Sequence, residues 1–259
     1  MSERAVYHLA LSRSQLAGAT VALLPGDPGR VEGIARTAPL TDAKRLASKR
    51  EFHTWLAHAA GRPVIVTSTG IGGPSTSIAV DELAQLGVTT FVRVGTTGAI
   101  QPDIDVGTVI VTTGAIRLDG ASTHYAPIEY PAVAHHEVVI ALLAAASALG
   151  VPARAGVTCT ADTFYPGQER VDSFTGYVPR RFQGATEEWR RLGALNYETE
   201  AATLLTLASV MGLRAGCVAG VVVNRSRSEH VTPDDLERGE RHAVRVAVRA
   251  VVEHLAVQP

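Results

Sequence analysis

The chain has 259 residues, of which 46% are hydrophobic and 19% charged, and its formal net charge at pH 7 is −1. These values exclude a disordered chain and are typical of a globular protein with a sizeable core. Since both charge signs are mixed and no basic face is visible, we expect no nucleic-acid partner. The longest apolar stretch, 138–150, is too short to span a bilayer, so we expect no membrane partner.

Predicted strands recur as short apolar runs rich in Val and Thr, the pattern of strands buried on both faces. They cover residues 20–24, 64–69, 90–94, 107–115, 154–160 and 215–223. Helical periodicity lies between them, at 74–86, 136–149, 200–211 and 233–256. The alternation predicts an α/β layered fold with a mainly parallel sheet. No linker, repeat or low-complexity stretch is visible, so we predict a single domain, 1–259.

The two cysteines, Cys159 and Cys217, lie in apolar, strand-like runs and are predicted to be buried free thiols. Free thiols suit a reducing compartment. The first residues also lack the long apolar stretch of a signal peptide. We therefore expect a cytoplasmic protein.

Three glycine-rich turns each follow a predicted strand, at 23–31, 68–77 and 93–100. Ligands of open α/β sheets bind at strand carboxyl ends, where exposed backbone N–H groups suit anions. Each turn could simply reverse the chain, but together they bring Arg30, Arg93, Thr96 and Thr97, which favours a phosphate site. "GIGGPS" lacks the third glycine of a dinucleotide fingerprint and no Lys follows it, so neither NAD nor ATP is indicated.

Charged residues at the ends of predicted strands can each be interpreted in two ways. Arg93 ends a buried strand, where its partner could be an internal carboxylate or a bound anion. Glu198 and Glu200, in "NYETEAA", could favour a helix start through the helix dipole or could bind the vicinal hydroxyls of a sugar. No spacing typical of a metal site occurs, His135-His136 included.

The polar segment 164–190 follows the strand that ends at Thr160 and is of the length that covers a site. Its beginning, "DTFYPGQER", presents an amide and a guanidinium beside aromatic rings. A plain turn needs only the Pro-Gly. The combination therefore predicts a flat, polar ring as ligand.

In chain order, "GDPGR", "STGIGGPSTSIAVDELAQLG", "RVGTTGAIQP", "DTFYPGQER" and "NYETEAATLL" resemble the nucleoside phosphorylase-I family over nearly the whole chain. "TFYPGQER" is similar to its uridine-cleaving members. The resemblance implies a three-layer α/β/α fold around a central mixed, mainly parallel sheet. It also implies reversible phosphorolysis of uridine to uracil and ribose 1-phosphate, with inorganic phosphate as co-substrate and no required cofactor.

The resemblance also implies a role for individual residues. Phosphate is expected at Gly26, Arg30, Arg50, Arg93 and Thr96, with Arg50 supplied by a neighbouring subunit. Uracil is expected at Thr97, Gly98, Phe164, Gln168 and Arg170. Ribose is expected at His8, Glu198, Thr199 and Glu200, with His8 again from the neighbour. The catalytic set is expected to be Arg93, Gln168, Arg170 and Glu200.

At the level of assembly, the resemblance implies a hexamer built from three dimers that share their active sites. A potassium ion is expected at the dimer interface, near Glu51, Ile71 and Ser75. One position departs from the family pattern: Thr199 stands where a Met is expected, which bears on how the ribose 2′-position packs.

Two rival functions stay open at this point. One is a nucleosidase of the same fold, with water as nucleophile, and the other is a non-catalytic nucleoside-binding protein. Neither needs several arginines around an anion, so Arg30, Arg50 and Arg93 favour phosphorolysis. Purine-cleaving relatives use an Asp near the end of a late strand, whereas "GVVVNRS" at 220–226 has none, which favours a pyrimidine base.

Overall fold

The computed structural model describes residues 4–256, and within this range ten strands join in one sheet. In chain order the strands are β1 (Val21–Pro25), β2 (Thr41–Lys49), β3 (Phe52–Ala59), β4 (Arg62–Thr67), β5 (Thr90–Ala99), β6 (Val109–Leu118), β7 (Ala132–Val133), β8 (Ala153–Ala161), β9 (Asn196–Glu198) and β10 (Arg214–Asn224). Most pairings in the middle of the sheet, among them β1–β4, β1–β5 and β5–β10, are parallel, while the β2–β3–β4 end is antiparallel.

The helices are α1 (Val31–Ala35), α2 (Gly73–Gln85), α3 (His136–Leu149), α4 (Ala185–Arg191), α5 (Ala201–Val210) and α6 (Pro233–Ala250), and α6 continues as a π-helical turn over Val251–Leu255. Thr232 caps α6 by accepting a hydrogen bond from the Asp235 amide, as the Thr-Pro-acid pattern predicts. Within residues 4–256, no helix combines the length and apolarity needed to cross a bilayer.

Two apolar cores lie on opposite faces of the sheet. Val21 and Leu23 of β1 belong to one core, and Ala22 and Leu24 belong to the other, as the alternation of side chains along a strand requires. The first core includes residues of α1, α3 and α6, and the second includes residues of α2 and α5. These helix layers confirm the three-layer α/β/α arrangement around a mixed sheet.

Part of the sheet closes on itself. Strand β5 pairs with β1 through its first half and with β9 at Gly98 and Ala99, while β10 runs along its other edge. Since β10 also pairs with β6, β6 with β8 and β8 with β9, the five strands form a ring. This closure brings the carboxyl ends of β1, β4 and β5 to the end of β9, which is where the charged side chains meet.

All six predicted strands and all four predicted helices are found, with ends shifted by a few residues. The β2–β3 hairpin was not predicted because β2 carries two register irregularities and is largely exposed, which removes the period-two pattern. The short elements β7, α1 and α4 were also missed, and α4 lies at the end of the segment predicted to be polar loop.

Candidate active site

Arg93 lies at the centre of the site. Its side chain is buried, its Nε donates to Glu198 Oε2 at 3.0 Å, and its Nη2 forms an ion pair with Glu200. Burial opposes its charge, but the two carboxylates outweigh burial and raise the pKa of Arg93. The third nitrogen, Nη1, is buried without a hydrogen-bond partner in residues 4–256. A Cβ added to Gly26 would lie 3.9 Å from that nitrogen, so Nη1 lies beside the turn that follows β1.

Arg30 contributes a second guanidinium from that turn. Asp27 caps the short helical turn Pro28–Arg30 by accepting from the Gly29 amide at 2.7 Å. Arg30 Nε lies 3.4 Å from Glu240, while its Nη2 is buried and, within the described chain, has no partner. Burial lowers the pKa of Arg30, Glu240 opposes this shift, and the positive charge of Arg93 adds to it.

The two glutamates hold Arg93 from one side. Glu198 Oε2 also accepts from the Glu200 and Ala201 amides, both at 2.8 Å, and its Oε1 accepts from Thr160 at 2.5 Å. Glu198 therefore accepts hydrogen bonds from amides at the start of α5 and also balances the positive charge of Arg93. Burial raises the pKa of Glu198; attraction to Arg93 opposes the shift and repulsion from Glu200 adds to it.

Glu200 connects this centre to the turn after β4. Its Oε1 accepts from the Gly72 amide at 2.6 Å and from the Thr199 hydroxyl at 2.6 Å. For Arg93, the internal carboxylate partners exist, and its Nη1 still has no partner within residues 4–256. For Glu198, the hydrogen bonds to the first amides of α5 show that it favours the helix start. Binding of ribose by Glu198, Thr199 and Glu200 stays a prediction.

Gln168 and Arg170 lie on the other side of the site. They follow β8 in the chain and are 3% and 8% exposed, although both side chains are polar. The Arg170 guanidinium lies 4.2 Å from the centre of the Phe164 ring, which is itself half-exposed. A guanidinium and a ring thus meet two residues after the buried Gln168, in the stretch that the sequence predicts to bind a flat polar ligand.

Arg225 and Glu229 are functional candidates that the sequence reasoning missed. Glu229 bridges two guanidinium groups: it accepts from Arg170 Nη1 at 2.5 Å and from Arg225 Nε at 2.7 Å. Arg225 also donates to the Gln168 carbonyl at 2.8 Å. Arg225 follows the apolar run of β10, so the reasoning applied to Arg93 could have found it. Glu229 had no such signal.

Two more nitrogens on this side are buried without a partner in the described chain, Arg170 Nε and Arg225 Nη1. Burial lowers the pKa of Arg170; the charge of Arg225 adds to the shift and Glu229 opposes it. Crowded guanidinium donors of this kind suit the carbonyl oxygens of a base, more so as negative charge develops on them.

The end of β5 lies between the two sides. Thr97 donates to the Tyr197 carbonyl at 2.6 Å and accepts from Asn196 Nδ2 at 2.8 Å, so it joins β5 to β9. At Gly98 a Cβ would come within 2.9 Å of the Arg225 side chain, so glycine makes room for that guanidinium. Thr96 is half-buried at the same strand end. Direct contacts of these three residues with phosphate or base stay predictions.

Comparison with known proteins identifies the family. A family model described as the phosphorylase superfamily matches residues 20–256. The chain belongs to this superfamily. It is 57% identical over 250 residues to the uridine phosphorylase of Escherichia coli (strain K12), covering 96% of this chain and 98% of the relative. It is 46% identical over 245 residues to a uridine phosphorylase of Thermococcus kodakarensis, covering 95% and 85%.

A relative named for a purine nucleoside also matches. The guanosine phosphorylase of Halorubrum lacusprofundi is 35% identical over 238 residues, covering 89% of this chain and 92% of the relative. These matches confirm the resemblance to nucleoside phosphorylases.

Within residues 4–256, two predicted phosphorylase residues, His8 and Arg50, form no hydrogen bond or ion pair with the charged residues around Arg93. Arg50 occupies the exposed turn between β2 and β3, with a positive φ of 55°, and no hydrogen bond or ion pair to it is found within residues 4–256. His8 is held by Glu82 of α2. Lys49 lies 4.4 Å from the centre of the Tyr7 ring and donates to the Tyr7 carbonyl, so His8 and Arg50 belong to one surface.

The residues expected near a potassium ion are grouped around Gly70. A Cβ on Gly70 would come within 2.9 Å of Glu51 Cγ and 3.1 Å of Ser75 Oγ, and Ser75 Oγ lies 3.2 Å from the Ile71 carbonyl. A carboxylate, a hydroxyl and a carbonyl are the oxygen donors that a hard cation takes. Within residues 4–256, no group of three or more His, Cys, Asp or Glu side chains is arranged so that it could hold a metal ion.

Proposed function

We propose that this superfamily member catalyses the reversible phosphorolysis of uridine to uracil and ribose 1-phosphate. The observation that carries the proposal is the pair of buried, unpartnered guanidinium nitrogens on Arg93 and Arg30. Buried N–H groups without partners are costly, and a phosphate dianion would satisfy both. The uridine phosphorylases among the relatives agree with this activity.

In the proposed mechanism the C1′–N1 bond of uridine stretches first, leaving positive charge on the sugar and the electron pair on N1 of the base. Phosphate, fixed by Arg30 and Arg93, stabilises the cationic sugar and then bonds to C1′ with inversion. Gln168 and Arg170 donate hydrogen bonds to the base as its anion forms. Fixed donors aimed at developing charge are the main source of such rate enhancement, and positioning of two substrates adds to it.

Two features of the site support a pyrimidine base. Arg170 and Arg225 offer donors, which suit the uracil carbonyls. Asn224 donates to the Gln101 and Ile104 carbonyls and accepts from Ser226, so the end of β10 offers no carboxylic acid to protonate a purine ring.

The test is a phosphate-dependence assay over uridine, 2′-deoxyuridine, 5-methyluridine, thymidine and guanosine. We expect release of uracil from uridine only when phosphate is present, together with ribose 1-phosphate. Release of uracil without phosphate would indicate a nucleosidase. Binding of uridine with no turnover would indicate a nucleoside-binding protein, and faster cleavage of guanosine would overturn the assignment of the base.

The same proposal includes active sites shared across a dimer, with Arg50 and His8 supplied to the neighbour and three dimers forming a hexamer. The exposed, unpaired position of Arg50 and its common surface with His8 support it. Inactive Arg50→Ala and Arg93→Ala proteins should regain activity when mixed, because one of the two sites in a hybrid dimer is then intact. Arg93→Ala mixed with Glu200→Ala is the matched control and should stay inactive. One subunit supplies both of these residues to a given site, so each site of a hybrid dimer lacks one of them.

We also propose a potassium ion at the dimer interface, held by Glu51, the Ile71 carbonyl and Ser75, where it would neutralise the carboxylate. Replacing potassium by tetramethylammonium should lower the thermal stability of the oligomer. The protein is further proposed to be one domain over residues 1–259. A cytoplasmic location is supported by two cysteines that are free and buried.

A further inference from the structure

Glu169, which lies between the two proposed base-binding residues, has an uncommon backbone conformation. It follows the short helical turn Pro166–Gln168 with a φ of 54°, in the left-handed region that favours glycine. Residues with a long side chain rarely lie in this region, and they do so where the surrounding structure fixes them. The contacts of the Glu169 side chain show what fixes it here.

The Glu169 carboxylate ties this turn to α4. One oxygen accepts a hydrogen bond from the Gly184 amide, and the other accepts from the Thr186 amide at 2.8 Å. Gly184 stands directly before α4 and has no side chain that could accept from the first amides of the helix. The acceptor comes instead from the turn at Glu169, 15 and 17 positions earlier in the chain than the two amides.

The helix α4 is in turn anchored to the sheet. Trp189 packs against a buried cluster formed by residues of β8 and β9 and of the chain beside them. Gln101, which follows β5, donates to the Arg190 carbonyl at 2.9 Å and to the Ala194 carbonyl at 2.7 Å. The hydrogen bonds of Glu169 therefore connect the irregular segment to an element that the sheet holds.

Gln168 depends on this connection more than Arg170 does. Arg170 is held through its own side chain, by Glu229 and by the Phe164 ring. Gln168 is 3% exposed, but its side-chain amide forms no hydrogen bond within residues 4–256. Its backbone carbonyl accepts from Arg225 Nη2 at 2.8 Å. Packing and the backbone of the turn therefore set where the side-chain amide lies.

We propose that Glu169 is a positioning residue whose two hydrogen bonds to α4 set the Gln168 side-chain amide against the uracil ring. This inference rests on the proposed function and on the proposed contact of Gln168 with the base. Both oxygens of the Glu169 carboxylate are taken by backbone amides, so Glu169 acts through the turn and not by contact with substrate.

The test compares kcat/KM for uridine in the wild type, Glu169→Gln and Glu169→Gly. Gln keeps the length of the side chain and one acceptor oxygen, so kcat/KM should fall roughly 3- to 10-fold, the range of one hydrogen bond. Gly suits the left-handed backbone but removes both hydrogen bonds, so kcat/KM should fall further. The KM for phosphate should stay unchanged in both variants, and thermal unfolding checks that they are folded.

Glu188→Gln is the matched control. Glu188 lies in the first turn of α4, is exposed and forms no ion pair within residues 4–256, so the change removes the same charge near the same amides. Its kcat/KM for uridine should equal that of the wild type. Wild-type activity in Glu169→Gly would show that the Glu169 side chain is dispensable. A KM for phosphate that rises as much as the KM for uridine would show a general structural role. Either result would overturn the inference.

A Gln168→Ala background separates the inference from its basis. Glu169→Gln should lower kcat/KM no further in this background, because the amide that Glu169 positions is absent. An equal loss in both backgrounds would overturn the inference. Wild-type activity in Gln168→Ala would contradict the proposed contact with the base and remove the role of Glu169 with it. A wild type that does not consume phosphate would contradict the proposed function itself.

Discussion

The two halves of the candidate site are built differently. The half proposed to bind phosphate and ribose consists of Arg93, Glu198 and Glu200, which lie on β5, on β9 and at the start of α5 and are each less than 9% exposed. The half proposed to bind the base consists of Gln168 and Arg170 on an irregular segment, and Glu229 on another loop holds Arg170. The first half is thus fixed by the sheet, and the second is assembled by contacts between loops.

The difference bears on what must move when substrates bind. Ion pairs with Glu198 and Glu200 fix the orientation of the Arg93 guanidinium. Its unpartnered Nη1 is therefore held in one position, which preorganises it for an anion. Glu229 is 44% exposed and accepts from Arg170 Nη1, while Arg170 Nε has no partner within residues 4–256. Because Glu229 is half-exposed and lies on a loop, the second half is expected to adjust its position when the base binds while the Glu229 bridge stays in place, and the first half is expected to stay unchanged.

The largest effect is expected at Arg93. Arg93→Ala should lower kcat/KM for uridine by about 10³-fold, since it removes charge aimed at the transition state. It should also raise the KM for phosphate more than the KM for uridine. Arg93→Lys should recover little, because an ammonium cannot contact Glu198, Glu200 and an anion in the fork geometry of a guanidinium. Steady-state kinetics with each substrate varied in turn checks both variants.

Arg154→Ala is the control for loss of an arginine. Arg154 forms an exposed ion pair with Asp103 at 2.8 Å near the start of β8, about 20 Å along that strand from Thr160, so its removal should leave both KM values unchanged. If Arg93→Ala affected the two substrates equally, Arg93 would be a structural residue that supports the whole site.

The base half gives the second prediction. Gln168→Ala or Arg170→Ala should lower kcat/KM for uridine roughly 10²–10³-fold and leave the KM for phosphate nearly unchanged, because each removes a donor to the developing base anion. Near wild-type turnover in both variants would contradict the assignment of the "PGQER" stretch to the base. If the KM for phosphate rose together with the KM for uridine, the two halves of the site would not act independently.

The same contrast explains how much the sequence could predict. Arg93 was found because a charge inside a buried strand needs a partner. The alternation of buried strands and amphipathic helices predicted an α/β layered fold with a mainly parallel sheet, while the three-layer arrangement came from the family resemblance. Closure of β5, β10, β6, β8 and β9 into a ring could not be predicted, since a sequence pattern marks strands and not their neighbours. Residue roles such as those of Gln168 and Arg170 came from the family resemblance.

Contacts between residues far apart in the chain could not be predicted from the sequence. Glu229 meets Arg170 across 59 positions, and Glu82 meets His8 across 74. Both carboxylates look like ordinary charged residues in the sequence, one in a polar loop and one on a helix. Their partners become visible only when the chain is folded.

Glu229 provides the third prediction, of intermediate size. Glu229→Ala should raise the KM for uridine several-fold without changing the KM for phosphate, because its bridge holds the guanidinium groups of Arg170 and Arg225 in place for the base. Loss of a single partly exposed charged hydrogen bond is worth about 1–2 kcal/mol. A lower KM for uridine would indicate instead that Glu229 competes with the base for Arg170. Glu237→Ala, which removes an exposed partner of Arg241 on α6, should change neither constant.

The smallest effect is expected at Thr199, in the fixed half. A Met is expected here from the family pattern, and a Thr is shorter and branched. The Thr199 hydroxyl donates to Glu200 Oε1 at 2.6 Å, so it is already committed and is not free to select the ribose 2′-hydroxyl. We therefore expect a looser pocket beside C2′ and a tolerance of 2′-deoxyuridine. Thr199→Met should shift the kcat/KM ratio toward uridine by a few-fold, about 1 kcal/mol or less.

Thr199→Val keeps the shape and removes the hydroxyl, so its ratio should stay near that of the wild type. A Val variant that loses preference for uridine would show that the hydroxyl reads the 2′-position through Glu200, and the fixed half would then carry sugar specificity as well as the anion.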